Sequence, residues 1–255
     1  MEKIALIIPA LNEERTISLL VKDALALLEK GIIHDVVVVD DHSTDSTASI
    51  ARNLGAKVLA RGNGDRGKGQ SFLDGLEYCR KTGATILLMI DADSEGRLEE
   101  RHISRMVAPL LDGKMAMSIH PQLNGDELVA PEFTGQRAIR VSALNFVFKN
   151  CNGGWRFRDA CRGYGLEKTL NWFLAGRSIY LSEFKHDPLM FRQTGGNGEN
   201  PGMFMDFLMT GMALGDRPRK ARELRAQRRS APVLPAPGEK NRNQGAFLKT
   251  LRRIL

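Results

Sequence analysis

The chain has 255 residues, of which 42% are hydrophobic, enough for one α/β domain with a sizeable core. It contains no uninterrupted run of about 18 apolar residues, which excludes a membrane-spanning helix, and we expect no secretory leader. The three cysteines, Cys79, Cys151 and Cys161, form no CxxC pair, which favours a reducing, cytoplasmic location.

The net charge of +7 is unevenly distributed along the chain. From Arg217 to Leu255 there are twelve Lys and Arg residues and two Glu, so this stretch carries +10 and the first 216 residues carry −3. The globular part therefore lacks the basic character of a nucleic-acid-binding domain, and we expect no nucleic-acid partner.

Strand and helix patterns alternate through the first 120 residues. Short apolar runs predict buried strands, and apolar residues at helical spacing predict helices. The predicted strands are Ile4–Ile8, Val36–Val39, Lys57–Ala60, Thr85–Ile90 and Lys114–Ile119. The predicted helices are Thr16–Leu28, Asp45–Leu54, Gln70–Arg80 and Leu98–Leu111. These repeated units predict an α/β fold, with a mostly parallel sheet and helices on both faces.

Glycines interrupt the pattern after Pro121. Three further helices are predicted at Gln136–Phe148, Leu166–Leu174 and Met203–Leu214, and one strand at Ser178–Phe184. Residues 216–255 are expected to form a basic extension with little fixed structure before Ala246.

Polar clusters follow four of the predicted strands. In a parallel sheet, ligands bind beyond the carboxyl ends of the strands, so clusters at those ends are expected to meet in one site. The four clusters are Pro9–Glu14, Asp40–Asp45, Gly62–Gln70 and Asp91–Asp93.

Asp91 and Asp93 are the most informative of these residues. Carboxylates are hard ligands that suit Mg²⁺ or Mn²⁺, and such an ion can neutralise a departing diphosphate. The alternative is that the two acids cap the following helix. The three other clusters at the same sheet edge favour the metal site.

The second and third clusters predict contacts with a nucleotide. Asp40 and Asp41 end an apolar strand, where an unpaired charge is costly, so their carboxylates suit hydrogen bonds from a base or ribose. Lys68 lies near a predicted helix N-terminus, a setting that favours phosphate. Asp45 is expected to cap the helix that follows it.

The order PALNEE, DDHSTD, GKG and DAD resembles the family 2 glycosyltransferases of the GT-A fold. The resemblance extends from about Ile4 to Gly195, and the PALNEE segment is also similar to that of glucosyl-3-phosphoglycerate synthases. It implies a GT-A domain over residues 1–215, with a nucleotide-sugar-binding half (1–120) and an acceptor half (121–215), followed by the basic extension 216–255. His42 stands where the family more often has Gly.

Together with the clusters, the resemblance implies roles for individual residues. Asp93 and His186 would bind the metal, and Asp93 and Glu167 would be catalytic. Arg137, Arg162 and Tyr164 are expected to contact the acceptor. The residues expected to bind the nucleotide sugar are Pro9, Ala10, Leu11, Glu13, Asp40, Asp41, Lys68, Asp91 and Ala92.

The expected activity is transfer of a sugar from a UDP- or GDP-sugar to a lipid-linked or phosphorylated acceptor. Inversion is favoured because the family as a whole inverts, with Glu167 as the base. Glu167 could instead complement the dipole of its helix. The alternatives are a retaining enzyme resembling glucosyl-3-phosphoglycerate synthases, whose phosphorylated acceptor needs no base, and a non-enzymatic nucleotide-sugar-binding protein.

The last ten residues have the pattern of a basic amphipathic helix. Such a helix favours peripheral contact with an anionic membrane surface, here the inner face of the membrane. The alternative is that its apolar face packs on the domain or on a second copy of the chain. That face consists of Phe247, Leu248, Leu251, Ile254 and Leu255.

Overall fold

The computed structural model describes residues 2–60, 67–94, 96–113, 115–120, 122–124, 127–128, 134–150, 165–174, 179–181 and 189–191. The predicted helix Met203–Leu214 and the basic extension lie outside these residues. So do Arg162, Tyr164 and His186.

Ten strands and six α-helices are present in the described part of the chain. The strands are β1 Ile4–Ala10, β2 Asp35–Asp40, β3 Lys57–Ala60, β4 Ile86–Met89, β5 Met117–Ile119, β6 Gln122–Asn124, β7 Glu127–Leu128, β8 Arg137–Arg140, β9 Ile179–Leu181 and β10 Leu189–Phe191. The helices are α1 Ile17–Glu29, α2 Thr47–Leu54, α3 Lys68–Thr82, α4 Glu100–Val107, α5 Val141–Asn150 and α6 Leu166–Leu174.

Seven of these strands form a mostly parallel sheet in the order β3-β2-β1-β4-β8-β5-β9. Only β8 runs antiparallel to its neighbours β4 and β5 among the described strands of this sheet. The remaining three strands form a small sheet in the order β10-β6-β7. The expected α/β fold with a mostly parallel sheet is confirmed.

The alternation of side chains along β1 divides the core into two layers. Leu6 and Ile8 pack on one face of the sheet with α1, α2 and α4, whereas Ala5 and Ile7 pack on the other with α3, α5 and α6. Both faces are covered, which explains why the central strands are continuously apolar.

Helix α3 approaches β1 closely at Gly75. A Cβ atom at this position would lie 2.5 Å from Cγ2 of Ile7, too close for any side chain without movement. This contact sets how closely α3 packs on the sheet. Helix α3 begins with Lys68, so the same packing positions Lys68 at the carboxyl edge of the strands.

The predicted helix Gln136–Phe148 is wrong over its first residues, because Arg137–Arg140 form β8 and the helix begins at Val141. Strand β8 fills the space between β4 and β5. Its side chains alternate between the two cores, with Ala138 in one and Ile139 in the other. Tertiary pairing therefore overrides the local helical pattern.

The predicted helix Leu98–Leu111 is shorter in the structure. Helix α4 ends at Val107 and continues as a single 3₁₀ turn over Ala108–Leu110, in which Pro109 supplies no N–H for an α-helical hydrogen bond. The predicted helix Leu166–Leu174 and strand Lys57–Ala60 are confirmed with the same bounds.

Candidate active site

Two loops at the carboxyl ends of β1 and β2 are bonded to each other; residues 11–16 and 41–47 are called the paired loops. Three backbone N–H groups of the first loop donate to side chains of the second. The bonds are Asn12 N–H to Ser43 Oγ (3.0 Å), Glu13 N–H to Thr47 Oγ1 (2.7 Å) and Glu14 N–H to Asp45 Oδ2 (3.1 Å).

The second loop donates in return. The Thr44 N–H group donates to Asn12 Oδ1 (2.8 Å), and the Ser46 N–H group donates to Glu14 Oε2 (3.1 Å). Asn12 and His42 have φ values of 56° and 63°, in the left-handed region that few residues other than Gly adopt. His42, which stands where the family more often has Gly, thus retains the backbone conformation that suits a Gly.

Asp45 supports helix α2 from the residue before its N-cap. Its Oδ1 accepts from the backbone N–H group of Thr47 (2.9 Å) and from Thr47 Oγ1 (2.5 Å). Burial acts to raise the pKa of Asp45, but these bonds and the one from Glu14 outweigh it and lower the pKa below its ordinary value. Asp45 was expected to cap α2; it lies one residue before the N-cap, Ser46, supports the first turn through Thr47, and also joins the paired loops.

The two acids at the end of β2 have different surroundings. Asp41 is held in place, because its Oδ2 accepts from the Gly67 N–H group (2.6 Å) at the start of α3. Asp40 is also buried, but its Oδ1 has no hydrogen-bond partner among the described residues. A buried carboxylate oxygen without a partner is costly, so Asp40 is suited to accept a bond from a ligand.

Lys68 forms two ion pairs at the carboxyl end of β4. Its Nζ lies 2.7 Å from Oδ1 of Asp91 and 2.5 Å from Oε1 of Glu167, in the first turn of α6. Burial acts to lower the pKa of Lys68, but the two carboxylates outweigh it and raise the pKa above its ordinary value. The structure thus brings together three of the residues singled out from the sequence.

Asp93 is partly buried and lies beside the carboxylate of Asp91. Its pKa is raised to about 7 by burial and by the carboxylate of Asp91, with a small further contribution from Glu13, and together these outweigh the opposing effect of Lys68. Its Oδ1 has no hydrogen-bond partner within the described part of the chain. These properties are those of a carboxylate that can bind a cation.

Gly135 lies directly against Asp91. A Cβ atom at Gly135 would lie 2.0 Å from Oδ2 of Asp91, so a side chain there would displace the carboxylate. Strand β8 explains this proximity, because it pairs Met89 with Arg137, and the same antiparallel register carried two residues further places Gly135 opposite Asp91. The antiparallel strand thus brings the residues that precede it to the edge where the parallel strands end.

Gln136 holds the backbone of Asp91. Its Oε1 accepts from the Asp91 N–H group at 3.3 Å, and its own carbonyl oxygen accepts from the N–H group of His120. The Gln136 side chain is fully buried. The positions of Asp91 and Gly135 therefore depend on the Thr134–Gln136 segment.

Arg137 was expected to contact an acceptor, but the structure places its side chain in the interior. Its Nη1 donates to Oδ1 of Asn171 on α6 (2.6 Å), and its Nε donates to the carbonyl oxygen of Thr134 (2.9 Å). Arg137 therefore joins the segment that holds Asp91 to the helix that carries Glu167.

The other predicted site residues lie at the same sheet edge or outside the described residues. Pro9, Ala10 and Ala92 are buried, whereas Leu11 is 47% exposed. Arg162, Tyr164 and His186 lie outside the described residues. Within the described part, no three His, Cys, Asp or Glu side chains form a group that could hold a metal unaided.

Three features of the site were missed from the sequence: the reciprocal bonding of the paired loops, the contact of Gly135 with Asp91 and the role of Gln136. The Thr134–Gln136 segment was noted only as part of the resemblance. The predicted helix over Gln136–Phe148 concealed the strand that brings it to Asp91.

A family model described as glycosyl transferase family 2 matches residues 5–164, more than half of the chain. The chain belongs to glycosyl transferase family 2. The resemblance inferred from the four motifs is therefore confirmed, and these motifs include the paired loops, Lys68 and the Asp91–Asp93 pair.

Curated members of family 2 align with part of the chain. A 4,4'-diaponeurosporenoate glycosyltransferase of Staphylococcus haemolyticus is 38% identical over 99 residues, which cover 37% of this chain and 25% of that protein. A glucosyl-3-phosphoglycerate synthase of Mycobacterium tuberculosis is 32% identical over 120 residues, covering 44% and 35%. The glycosyltransferase AglJ of Haloferax volcanii is 27% identical over 170 residues, covering 64% and 49%. The chain thus spans about half or less of the length of these three relatives.

Solved structures of family 2 members share the fold. A crystal structure of the Mycobacterium tuberculosis glucosyl-3-phosphoglycerate synthase with Mn²⁺, UDP and glucosyl-3-phosphoglycerate has a TM-score of 0.63 and 22% identity, covering 84% of this chain and 80% of that one. A structure of the same synthase with Mn²⁺, UDP-glucose and phosphoglyceric acid also has a TM-score of 0.63, with 20% identity and the same coverage. The GT-A fold is therefore confirmed. None of the helices in the described ranges is long and apolar enough to cross a bilayer.

Proposed function

We propose that the protein transfers a hexose from a nucleoside diphosphate sugar to an acceptor, with a divalent cation bound at Asp93. The observation that carries this proposal is the Asp93 carboxylate, which has an unpartnered oxygen among the described residues and a pKa raised to about 7 beside Asp91. Membership of glycosyl transferase family 2 supports the reaction class.

The acidic composition of the site fits Mg²⁺ or Mn²⁺. Asp91, Asp93 and Glu167 meet near one ammonium group, that of Lys68, so negative charge is in excess there. Asp93 would hold the ion, and His186, outside the described residues, is proposed as a further ligand. The bound ion would neutralise the leaving diphosphate. Mn²⁺ or Mg²⁺ in structures of the mycobacterial synthase supports this choice.

The paired loops are proposed to hold the nucleoside. Asp40 offers a buried carboxylate oxygen without a partner in the described part of the chain, and Leu11 offers an exposed apolar side chain at the end of β1. Pro9 and Ala10 end β1, and Glu13 lies in the first of the paired loops. Asp41 fixes the second loop to the start of α3. Asp91, Ala92 and Lys68 would lie against the diphosphate and the sugar.

Glu167 is proposed as the general base of an inverting transfer. Lys68 holds its carboxylate beside Asp91, where an acceptor hydroxyl would approach the sugar. Such a base takes the proton of the hydroxyl as the new glycosidic bond forms. Arg162 and Tyr164 remain proposed acceptor contacts, whereas Arg137 is proposed to position α6 through Asn171.

A second candidate is a retaining transfer to a small phosphorylated acceptor, and the ion pair between Lys68 and Glu167 favours it. Oε1 of Glu167 lies 2.5 Å from the ammonium group of Lys68, so this oxygen is already engaged in an ion pair. The glucosyl-3-phosphoglycerate synthases among the relatives act on an acceptor of this kind, as their name states. An acceptor that attacks through an ionised phosphate or carboxylate oxygen has no proton to lose and needs no base.

A lipid-linked acceptor is proposed from the chain's basic extension and from the relatives. One relative is named for diaponeurosporenoate and another, from Methanococcus voltae, for dolichyl phosphate. A basic amphipathic terminus would bring the domain to an anionic membrane surface that presents such an acceptor.

The deciding experiment is calorimetric titration with UDP and GDP, each in the presence of Mn²⁺ and in excess EDTA, together with an assay of donor hydrolysis. We expect tight nucleotide binding and donor turnover to require the metal. In Asp93→Ala, adding Mn²⁺ should increase neither the nucleotide affinity nor the rate of turnover. Asp41→Ala should weaken nucleotide binding more than it slows turnover, because Asp41 fixes the paired loops to α3.

Asp74→Ala is the matched control, because Asp74 is an acid on α3 that accepts from Gln70 within the same helix. It should behave like the unmodified protein. Full activity in EDTA would contradict the metal site. Tight binding of a nucleotide sugar without turnover on any acceptor would instead support a nucleotide-sugar-binding protein.

A further inference from the structure

Gln136 contains a buried donor whose bonding is incomplete. Its side chain is fully buried, and its Nε2 has no hydrogen-bond partner among the described residues. A buried amide group without a partner costs free energy and calls for an explanation, such as a ligand that completes its bonding.

The orientation of this amide follows from its other contact. Oε1 accepts from the N–H group of Asp91 at 3.3 Å, and only the oxygen of an amide can accept such a bond. The NH₂ group is therefore the unpartnered end. Because both end atoms are bonded to the same carbon, Nε2 also lies close to Asp91.

The other unpartnered atoms at this edge of the sheet are of the opposite kind. Within the described residues, Oδ1 of Asp40 and Oδ1 of Asp93 are buried acceptors without partners. They follow β2 and β4, and Gln136 immediately precedes β8. Within the described residues, this edge of the sheet therefore combines hydrogen-bond acceptors that lack a donor with the Gln136 amide, a donor that lacks an acceptor. A ligand with several hydroxyl groups could bind to both kinds of group.

We propose that Gln136 is a specificity-determining residue that donates through Nε2 to one hydroxyl group of the transferred sugar. A hydroxyl group donates and accepts at once, so the neighbouring carboxylate of Asp91 and the amide of Gln136 recognise it together. The neutral amide adds no charge to a site that already holds several carboxylates. This inference rests on the proposed function, since it concerns the sugar of the same donor.

The test compares UDP-glucose with its four monodeoxy analogues, which lack the hydroxyl at C2, C3, C4 or C6. kcat/KM is measured for the unmodified enzyme, Gln136→Met and Gln136→Glu with Mn²⁺ present. Met removes both polar atoms at similar size, whereas Glu keeps an acceptor for the Asp91 N–H group but loses the donor. The two substitutions remove the donor in different ways. If one of the variants does not fold, the other still tests the inference.

We expect the unmodified enzyme to lose about five- to tenfold in kcat/KM when one particular hydroxyl is absent, the usual effect of one neutral hydrogen bond. Both variants should lose this discrimination at that one position and keep it at the others. Their affinity for UDP with Mn²⁺ should stay within about twofold of the unmodified enzyme, because the base and the diphosphate bind elsewhere.

Ser118→Ala is the matched control. Ser118 lies in β5, is fully buried and also has an unpartnered polar atom within the described residues, but it is in the interior of the sheet. This variant should keep the full pattern of discrimination. If both Gln136 variants discriminate at every position as the unmodified enzyme does, the inference is wrong. If the unmodified enzyme binds no UDP with Mn²⁺ and turns over no donor, the proposed function fails instead.

Discussion

The ammonium group of Lys68 lies 2.5 Å from the carboxylate of Glu167, so the first residue of α3 is bonded to the first turn of α6. The same ammonium group contacts Asp91 at the end of β4. Three segments that are far apart in the chain therefore meet at one charge. This arrangement allows the role of each carboxylate to be tested separately.

Glu167→Gln should reduce kcat by about 10²- to 10⁴-fold, the range typical for loss of a general base, if Glu167 accepts the proton of the acceptor. The amide keeps the size of the side chain but cannot take a proton. The affinity for UDP with Mn²⁺ should hardly change, because the proposed nucleoside contacts lie on the paired loops. Steady-state kinetics and calorimetry measure the two quantities.

A loss of kcat smaller than tenfold for Glu167→Gln would contradict the role of Glu167 as a base. It would favour either a retaining reaction or an acceptor that attacks through an ionised oxygen. NMR analysis of the product's anomeric configuration separates the two, because only the retaining reaction keeps the configuration of the donor.

Lys68→Met should destabilise the metal-free protein by about 3 kcal/mol, because it leaves the carboxylates of Asp91 and Glu167 partly buried without a counter-charge. This value is at the lower end of the usual range, since the side chain of Lys68 is still 21% exposed. Urea denaturation measures the loss. Mn²⁺ should recover more stability in this variant than in the unmodified protein.

Lys81→Met provides the matched control for Lys68. Lys81 also pairs with a carboxylate, that of Glu77, but its side chain is 74% exposed. Its replacement should change the free energy of unfolding by less than about 0.5 kcal/mol. Equal losses for the two lysine variants would show that Lys68 does not hold buried charges together.

Gly135→Ala should weaken Mn²⁺ binding about tenfold or more, because the added Cβ atom displaces the Asp91 carboxylate. Titration calorimetry in the presence of UDP measures this affinity. The protein should stay folded, since the change lies at the edge of the sheet.

A double-mutant cycle isolates the cause of the Gly135→Ala effect. In an Asp91→Ala background the carboxylate is absent, so Gly135→Ala should cost much less stability there than in the unmodified protein. Additive losses of stability in the double variant would contradict a direct clash between Gly135 and Asp91.

Asp45→Asn should destabilise the protein by about 1 kcal/mol near neutral pH, because Asp45 supports the first turn of α2 and joins the paired loops. The pKa of Asp45 is lower in the folded protein than its ordinary value, so the stabilisation is fully present above about pH 4, its ordinary range. It is lost as the pH falls through the folded-state pKa.

The difference in Tm between Asp45→Asn and the unmodified protein should therefore shrink as the solution is acidified below about pH 4. Thr47→Val removes one donor to Asp45 and also the acceptor of the Glu13 N–H group, so it should lower the Tm at neutral pH as well. A Tm difference that is constant over the whole pH range would show that the charge of Asp45 contributes nothing.

Binding to liposomes tests the proposed role of the basic extension. The full chain should co-sediment with anionic vesicles at low salt and be released at high salt, since each Lys or Arg near such a surface contributes about 1 kcal/mol and salt screens it. Truncation before Arg217 should abolish binding. Replacing Phe247 and Leu251 with Asp should weaken it with the basic residues intact. Failure of the full chain to bind at low salt would remove the support that the basic extension gives to a lipid acceptor.

Much of the fold could be predicted from local patterns. The apolar runs at Val36–Val39 and Thr85–Ile90 predict buried strands because both faces of the sheet are covered, and these runs lie within or around β2 and β4. The antiparallel strand β8 could not be predicted in this way. Its four residues have no local feature that distinguishes them from the start of a helix, and only pairing with β4 and β5 makes them extended.

The candidate site, like the fold, could be predicted only in part from the sequence. Asp91, Asp93, Asp40 and Asp41 could be chosen from the sequence because acids that end apolar strands are unusual. The pairing of Lys68 with Glu167 and the proximity of Gly135 to Asp91 depend on contacts between distant segments. Arg137 was assigned to the acceptor because it belongs to a group of arginines that would suit a phosphorylated acceptor, and the sequence pattern does not reveal the buried acceptors Asn171 and Thr134 that bind its guanidinium.

The paired loops have a consequence for how tightly a ligand can be held. Each loop satisfies the backbone N–H groups of the other, so neither can open without leaving donors of its partner unpaired. The two loops are therefore expected to open as one cooperative unit. The entropy of ordering them is lost when the chain folds and not when the proposed nucleoside binds, so more of the contact energy would remain for binding.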